Sequence, residues 1–472
     1  MKIDENIFGV SLEQMRALVT AGLGAGGNWC DLYFEDTVYD DLLLRDSAVS
    51  SGGHHVDYGC GIRVLAGEKT GYAYSESTDW PSLLSAARAA AGIAASGKAS
   101  ALRIPAAPAS PHKDFTPELM PWSDARAADF VPMLESLDAR IRALDASAVK
   151  VVALLSWSVG NIMMYNSLGE LTFDHRPICS ISIQTVFRRN GQTRNTSASR
   201  SLRAGREMMT PQLIEELARK AVEGVDALFE AGRPKGGRMS VVMAAGASGI
   251  LLHEAMGHAF EADFNRKGQS IFSDRMGQQI CGKGINIVDD GTLPGMRGSC
   301  NYDDEGVPGQ KTYMVRDGVL TSYLHDRISA AWYGVPPTGN GRRESFRYNP
   351  IPRMRSTYME SGPDGTLQDL VGSVRKGIFV DQFANGEVKI GEGDFTFYVK
   401  SGYLIEKGRL TMPVTDVNII GNGPRALADI KAVAGDLEVD RGTWTCGKEQ
   451  SVPVSCGIPS VLIENLTVGG GK

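Results

Sequence analysis

The chain has 472 residues, more than one hydrophobic core organises, so two or three domains are expected. Hydrophobic residues make up 42% and charged residues 22%, the balance of a folded globular protein rather than a disordered or fibrous one. A formal net charge of −6 argues against a broad phosphate-neutralising surface, and so against direct nucleic-acid binding.

In chain order, Ser11 and Gln14 make a capping box, and Leu12, Met15, Leu18 and Val19 recur at helical spacing, which predicts a first helix to about Ala21. Strands are expected at 31–35, 41–45, 61–65 and 70–74, followed by an Ala-rich helix over 81–95 that starts on proline. The Ser/Ala/Pro-rich run 96–111 reads as a linker. A helix over about 123–144 then carries the stripe Phe130, Met133, Leu134, Leu137 and Ile141. Strands follow at 149–157, 162–166, 171–173 and 178–187, with a hairpin turn at Asn190-Gly191. Thr210-Pro211 opens another helix to about Phe229, and 231–237 is a second linker. Beyond it come a buried strand at 239–243, a helix at 248–262, and many short strands suggesting a large, mostly antiparallel sheet.

The expected fold class is therefore α+β. An N-terminal α/β domain (1–100), a linker (101–120) and a central α/β domain (121–235) precede a β-rich C-terminal domain (238–472) that carries the helix at 248–262. The seven cysteines are scattered and contain no C-x-x-C pair, which points to reduced thiols in a cytoplasm rather than to a disulfide framework or a zinc ribbon. No secretory h-region and no run of about 18 apolar residues is present, so a cytoplasmic chain without a membrane helix is expected.

Chemistry concentrates in His253-Glu254-Ala255-Met256-Gly257-His258. Histidines four apart would lie about 40° from one another around a helix and could share an ion, but five apart they lie about 140° apart. Convergence on one metal needs a π-bulge or a break, and Gly257 lowers the cost of an irregular turn. Neutral imidazoles suit Zn²⁺, which in catalytic sites takes three protein ligands and leaves a position for solvent. Glu254 is then placed to accept a proton from the attacking water. Spacing leaves the third ligand open among Cys446, Cys456, Cys300, Cys281, His325, Glu261 and Asp263.

A longer text now bears on the choice. Gly61-Ile62-Arg63 with 67–71, Leu251 through His258, Asp263–Arg266, Val288–Thr292, Asp303–Gly306, Thr338–Ser345, Thr445–Lys448 and 466–470 resemble the TldD/PmbA family of zinc-dependent peptidases, and within it the metal-bearing TldD type of subunit. The resemblance implies a metal held by His253, His258 and Cys446, with Glu254 catalytic and 238–472 as the metallopeptidase domain. It also implies a TldE/PmbA-type partner in a heterodimer, a homodimer being the alternative, and extended or unfolded peptides as substrate. The competing reading is a non-catalytic subunit that binds peptide or modulates gyrase around a structural metal.

Other signals are weaker. Gly22–Gly27 fits G-x-G-x-x-G but follows a helix and precedes a strand, the reverse of a dinucleotide site, so a plain turn is expected. Arg342 and Arg343 could hold a substrate carboxylate or form internal ion pairs. Asp289-Asp290 and Asp303–Glu305 read as acidic turns, and His54-His55 as a solvent-facing loop pair.

Overall fold

The computed structural model describes residues 7–95, 104, 113–389 and 392–469. The expected linker, 101–120, lies outside the described residues except at 104 and from 113 onward.

Six long strands form one antiparallel sheet: β1 (Trp29–Arg45), β2 (Ala48–Ala66), β3 (Lys69–Ser75), β4 (Ala148–Asn166), β5 (Leu171–Arg189) and β6 (Gln192–Leu202), in the order β3-β2-β1-β4-β5-β6. The pairs of short strands read at 31–35 and 41–45, at 149–157 and 162–166, and at 171–173 and 178–187 are each one continuous strand. The polar residues between them, such as Asp36 to Asp40, stay in the ladder because β2 and β4 flank β1 along almost its whole length. His54 and His55 are likewise in a strand and not a loop: they pair with Asp40 and Tyr39, and the His54 ring contacts Asp40 at 2.8 Å. Asn190 and Gly191 both have positive φ, 49° and 79°, which is what a tight β5–β6 hairpin needs.

One face of this sheet is covered by helices. Cys30, Leu32 and Phe34 of β1 pack with Met163 and Tyr165 of β4 under α1 (Leu12–Leu23) and α2 (Trp80–Ala94). Further along the same face, Leu42, Leu44, Val151, Ala153 and Leu155 pack under α3 (Val131–Leu144) and α4 (Pro211–Val222). The capping box at Ser11 is formed in both directions. The helix expected to reach Phe229 breaks at Gly224, φ 72°, and restarts as α5 (Val225–Glu230). On the opposite face, Tyr33, Ile162 and Met164 meet Tyr302 and Phe346 of the C-terminal region.

The C-terminal strands divide between two main sheets rather than one. The first joins β8 (Ile287–Asp290), β9 (Lys311–Arg316), β10 (Val319–Leu320), β13 (Ser356–Met359), β19 (Glu438–Val439) and β22 (Ser455–Ile458). The second joins β7 (Gly237–Met243), β14 (Lys376–Lys389), β15 (Asp394–Glu406), β16 (Arg409–Val414), β17 (Val417–Asn422), β18 (Ile430–Val433) and β23 (Val461–Gly469). Pairing of β14 with β15 closes β14, β7, β23, β17 and β15 into a ring of hydrogen-bonded neighbours. Two small antiparallel pairs complete the region, β11 (Gly341–Arg342) with β12 (Ile351–Pro352) and β20 (Thr445–Lys448) with β21 (Gln450–Pro453). Most pairings are antiparallel, with β13–β22 and β14–β7 parallel. Asp289 and Asp290 lie in β8 and not in a turn: Asp289 accepts from the Arg355 N–H, Thr357 and Asn340, which is how a buried carboxylate stays satisfied.

Candidate metal centre

The segment read as one helix over 248–262 is three pieces. Helix α6 (Gly249–Ala255) packs closely on β22, where a Cβ on Gly249 would lie 2.6 Å from the Gly457 nitrogen. The chain then leaves helical geometry at Met256 (φ −134°, ψ −38°), tightens into a 3₁₀ turn over Gly257–Phe260, and resumes as α7 (Ala262–Arg266). The irregularity is thus a break, tighter than a helix, and not a π-bulge. Gly257 does not supply a left-handed φ; it supplies room, since a Cβ there would fall 2.2 Å from the Met354 sulfur.

The break brings the imidazoles together. The His253 and His258 rings are 5.4 Å apart between centroids, nearly perpendicular. Cys446 of β20 comes from the other side, its Sγ 3.4 Å from His258 Nε2. Ligand atoms of His253, His258 and Cys446 all lie within 4.8 Å of one another, and all three residues are buried. Glu254 follows His253 on α6 and is half-buried.

Several further side chains hold this trio in place. His258 Nδ1 donates to Glu261 Oε2 at 2.9 Å, which fixes the ring and leaves Nε2 facing the sulfur. Glu261 in turn lies 3.0 Å from Lys448 Nζ and 3.8 Å from Arg353 Nε. Lys448 also reaches Asp263 at 2.8 Å. The Arg353 guanidinium donates to the carbonyls of Cys446 (2.7 Å), Gln450 (2.8 Å) and Lys448 (3.3 Å), and so clamps the hairpin that carries the thiol. Sequence reasoning considered Glu261 and Asp263 only as ligands and did not reach Arg353 or the charge of Lys448. The remaining candidates, Cys456, Cys300, Cys281 and His325, do not join the cluster.

The electrostatics follow from these contacts. Burial raises the Cys446 thiol, but the imidazoles of His253 and His258 outweigh it and bring its pKa down to about 4. Burial lowers His258, but the Glu261 carboxylate and the Cys446 sulfur raise it to about 10. Burial raises Glu261, but Lys448 and His258 hold it down at about 2. In the metal-free chain these shifts favour a Cys446 thiolate beside a protonated His258 at neutral pH. His253 is the exception. It is 1% exposed, its ring interacts with the Cys446 sulfur, and neither ring nitrogen makes a well-formed hydrogen bond.

This donor set fits a zinc ion. Zn–S near 2.3 Å and Zn–N near 2.0 Å at a tetrahedral angle imply S···N of about 3.5 Å, close to the 3.4 Å between Cys446 and His258. A cation there would also satisfy the His253 ring, whose nitrogens make no well-formed hydrogen bond.

With fold and geometry in hand, comparison with known proteins is direct. Family models described as PmbA/TldA metallopeptidase domain 1, central domain and C-terminal domain match residues 30–94, 121–227 and 236–470. The chain belongs to the PmbA/TldA metallopeptidase family. More particularly, it is 38% identical to the metalloprotease TldD homolog of Haemophilus influenzae, over 94% of this chain and 93% of that one. It is 32% identical over 62% of its length to the zinc metalloprotease TldD homolog of Saccharolobus solfataricus, covering 65% of that protein. Among solved structures, the fold is shared with a Thermotoga maritima protein described as a candidate modulator of a DNA gyrase (TM-score 0.77, 21% identity, 97% of this chain and all of that one). It is shared equally with TldE from Thermococcus kodakarensis (TM-score 0.74, 19% identity, 97% and 100%). No helix among the described residues is long and apolar enough to cross a membrane.

Proposed function

We propose that the chain is a zinc-dependent peptidase whose metal is held by His253, His258 and Cys446 and whose general base is Glu254. The observation that carries the reading is the convergence of the buried His253 ring, which makes no well-formed hydrogen bond, with His258 Nε2 and the Cys446 sulfur. Bound there, zinc would supply the Lewis acidity that polarises a peptide carbonyl and makes water a nucleophile at neutral pH. The rest falls to the chain itself. Glu261 orients His258, Lys448 and Arg353 keep Glu261 ionised, Arg353 anchors the Cys446 hairpin, and Glu254 receives the proton of the attacking water.

Three donors rather than four favour this reading over a structural metal in a non-catalytic, peptide-binding or gyrase-modulating subunit, because structural zinc is normally closed by a fourth protein ligand. The zinc and metalloprotease names of the relatives support the same choice. Extended or unfolded peptides are the proposed substrate, and a TldE/PmbA-type subunit, or a second copy of this chain, the proposed partner, supported by the fold shared with TldE. Seven free, buried cysteines support a reducing compartment such as the cytoplasm. The domain division at 1–100, 121–235 and 238–472 is supported by the bounds of the matched models, although β1–β6 run as one sheet through the first two.

Zinc stoichiometry measured beside cleavage of an unfolded peptide, with the TldE-type partner present, tests the assignment. One zinc per chain is expected, lost together with cleavage in His253→Ala. Full cleavage by chelator-stripped protein would overturn it.

A further inference from the structure

The second face of the six-stranded sheet and the C-terminal region enclose a cavity of about 460 Å³. Thr445, Ser451 and Pro453 line it. In the β20–β21 register Thr445 pairs with Pro453 and Gly447 with Ser451, so these residues face away from Cys446. Val452, the cross-strand partner of Cys446, lines it too, so the hairpin is a wall shared by this cavity and the candidate metal centre.

Arg203, Arg297, Arg342 and Arg355 line the cavity together. Their partners are neutral. Arg203 Nε donates to the Arg297 carbonyl at 3.0 Å, and Arg355 Nε to the Gly339 carbonyl at 2.6 Å. Arg342 donates to the carbonyls of Met354 and Pro453. Arg297 donates to the Trp444 carbonyl and the hydroxyls of Ser180, Ser201 and Thr445. Among the described residues none of the four is in ion-pair contact with a carboxylate, and the two terminal nitrogens of Arg203, a residue only 8% exposed, form no hydrogen bond. Glu35, Asp40, Asp41, Asp174, Asp304 and Glu344 also line the cavity, and the three buried ones are bound to other groups. Asp174 is bound to Arg176 and Asn301, Asp304 to Arg176 and the Arg343 N–H, and Glu35 to Thr37 and the Phe346 N–H.

Buried guanidinium groups that share a space repel one another, and the neighbouring Asp174 and Asp304 offset this only in part. Burial lowers Arg203 to about 10, with Arg176 and Arg355 adding to the effect and Asp174 opposing it, and Arg342 is lowered by burial, Arg355 and Arg203 against the attraction of Asp304. An anion would occupy the guanidinium nitrogens of Arg203 that no side chain among the described residues reaches. We infer that this cavity is an oxyanion-binding site centred on Arg203 and flanked by Arg342, Arg355 and Arg297, which takes a carboxylate or phosphate group. The planar guanidinium fork matches both, holding two oxygens with two nitrogens.

Thermal melting of the full chain at fixed ionic strength in chloride tests this, with inorganic phosphate, N-acetylalanine and N-acetylalaninamide as probes. Phosphate or N-acetylalanine should raise the melting temperature saturably, by about 3 °C at a hundredfold excess over Kd, and the amide should not. A response to N-acetylalanine above that to phosphate assigns the site to peptide carboxyl groups, and the reverse order assigns it to phosphate. Arg203→Gln should abolish the saturable rise. Arg203→Lys, which keeps the charge but not the fork, should shift half-saturation at least about tenfold. No saturable rise with either anion, or half-saturation unchanged in Arg203→Lys, overturns the inference.

Discussion

On one face of the β20–β21 hairpin every charge has a counter-charge: Cys446 answers His258, and Glu261 answers Lys448 and Arg353. On the other face, four arginines share neutral acceptors only. The first region balances as long as His258 keeps its proton, and a divalent cation can take that proton's place. The second holds its guanidinium groups on neutral acceptors, and the proposed anion would complete it. Two sites a strand apart thus solve opposite problems, and a change that disturbs one need not disturb the other.

The contrast can be broken most severely at the first site. Glu254→Ala should slow peptide cleavage by roughly 10²- to 10⁴-fold while zinc content by atomic absorption stays the same; undiminished cleavage removes Glu254 from the chemistry. Glu261→Gln should weaken zinc binding by about 10- to 100-fold, read by competition with a chromogenic chelator. Equal affinity in that variant would mean that His258 needs no orientation.

A third experiment sharpens the charge balance. His258, at about 10 against an ordinary 6.5, adds stability in full below pH 6.5 and loses it as pH rises through 10. Cys446, at about 4 against 9.0, adds stability in full above pH 9 and loses it as pH falls through 4. The two trends cancel between about pH 6.5 and 9, so the metal-free chain should show level stability there in urea titrations and a decline on either side. Zinc uptake within that window should expel one proton, from His258, and apparent affinity should rise about tenfold per pH unit. Calorimetry in buffers of different ionisation enthalpy reads the proton directly, and a value of zero contradicts the thiolate–imidazolium pair. The smallest effect is expected from Arg353→Lys, which keeps a cation near Glu261 but loses the fork on three hairpin carbonyls. Its melting temperature should fall by about 2–4 °C, and an unchanged value would show that the hairpin needs no clamp.

Much of this was legible in the residues. The five-residue histidine spacing required an irregular helix, and the structure has one at Met256. Its form was not legible, because a break and a bulge satisfy the same spacing, and the room needed at Gly257 comes from Met354, about a hundred residues away. Glu261 stands three residues after His258, yet an extended residue at Glu261 (φ −68°, ψ 125°) ends the turn there, so no periodicity marks it as an orienting group. The arginine cluster is invisible for a similar reason: Arg203, Arg297, Arg342 and Arg355 belong to separate segments that only tertiary packing unites. Polar runs inside β1 and β2 imitate loops because side-chain pattern reports burial, whereas the ladder is held by backbone pairing on both sides.

The partnership of β1 with β4 has a consequence for how the molecule is made. More than a hundred residues separate the end of the one from the end of the other, so during synthesis β1 and β2 wait for roughly 120 residues to be added, on the order of 6–25 s at the usual rates of translation. Throughout that interval the β1 edge is a bare row of amides and carbonyls in a crowded compartment. The ribosome-bound chain should accordingly be most open to chaperone capture after α2 is complete and before residue 166 emerges.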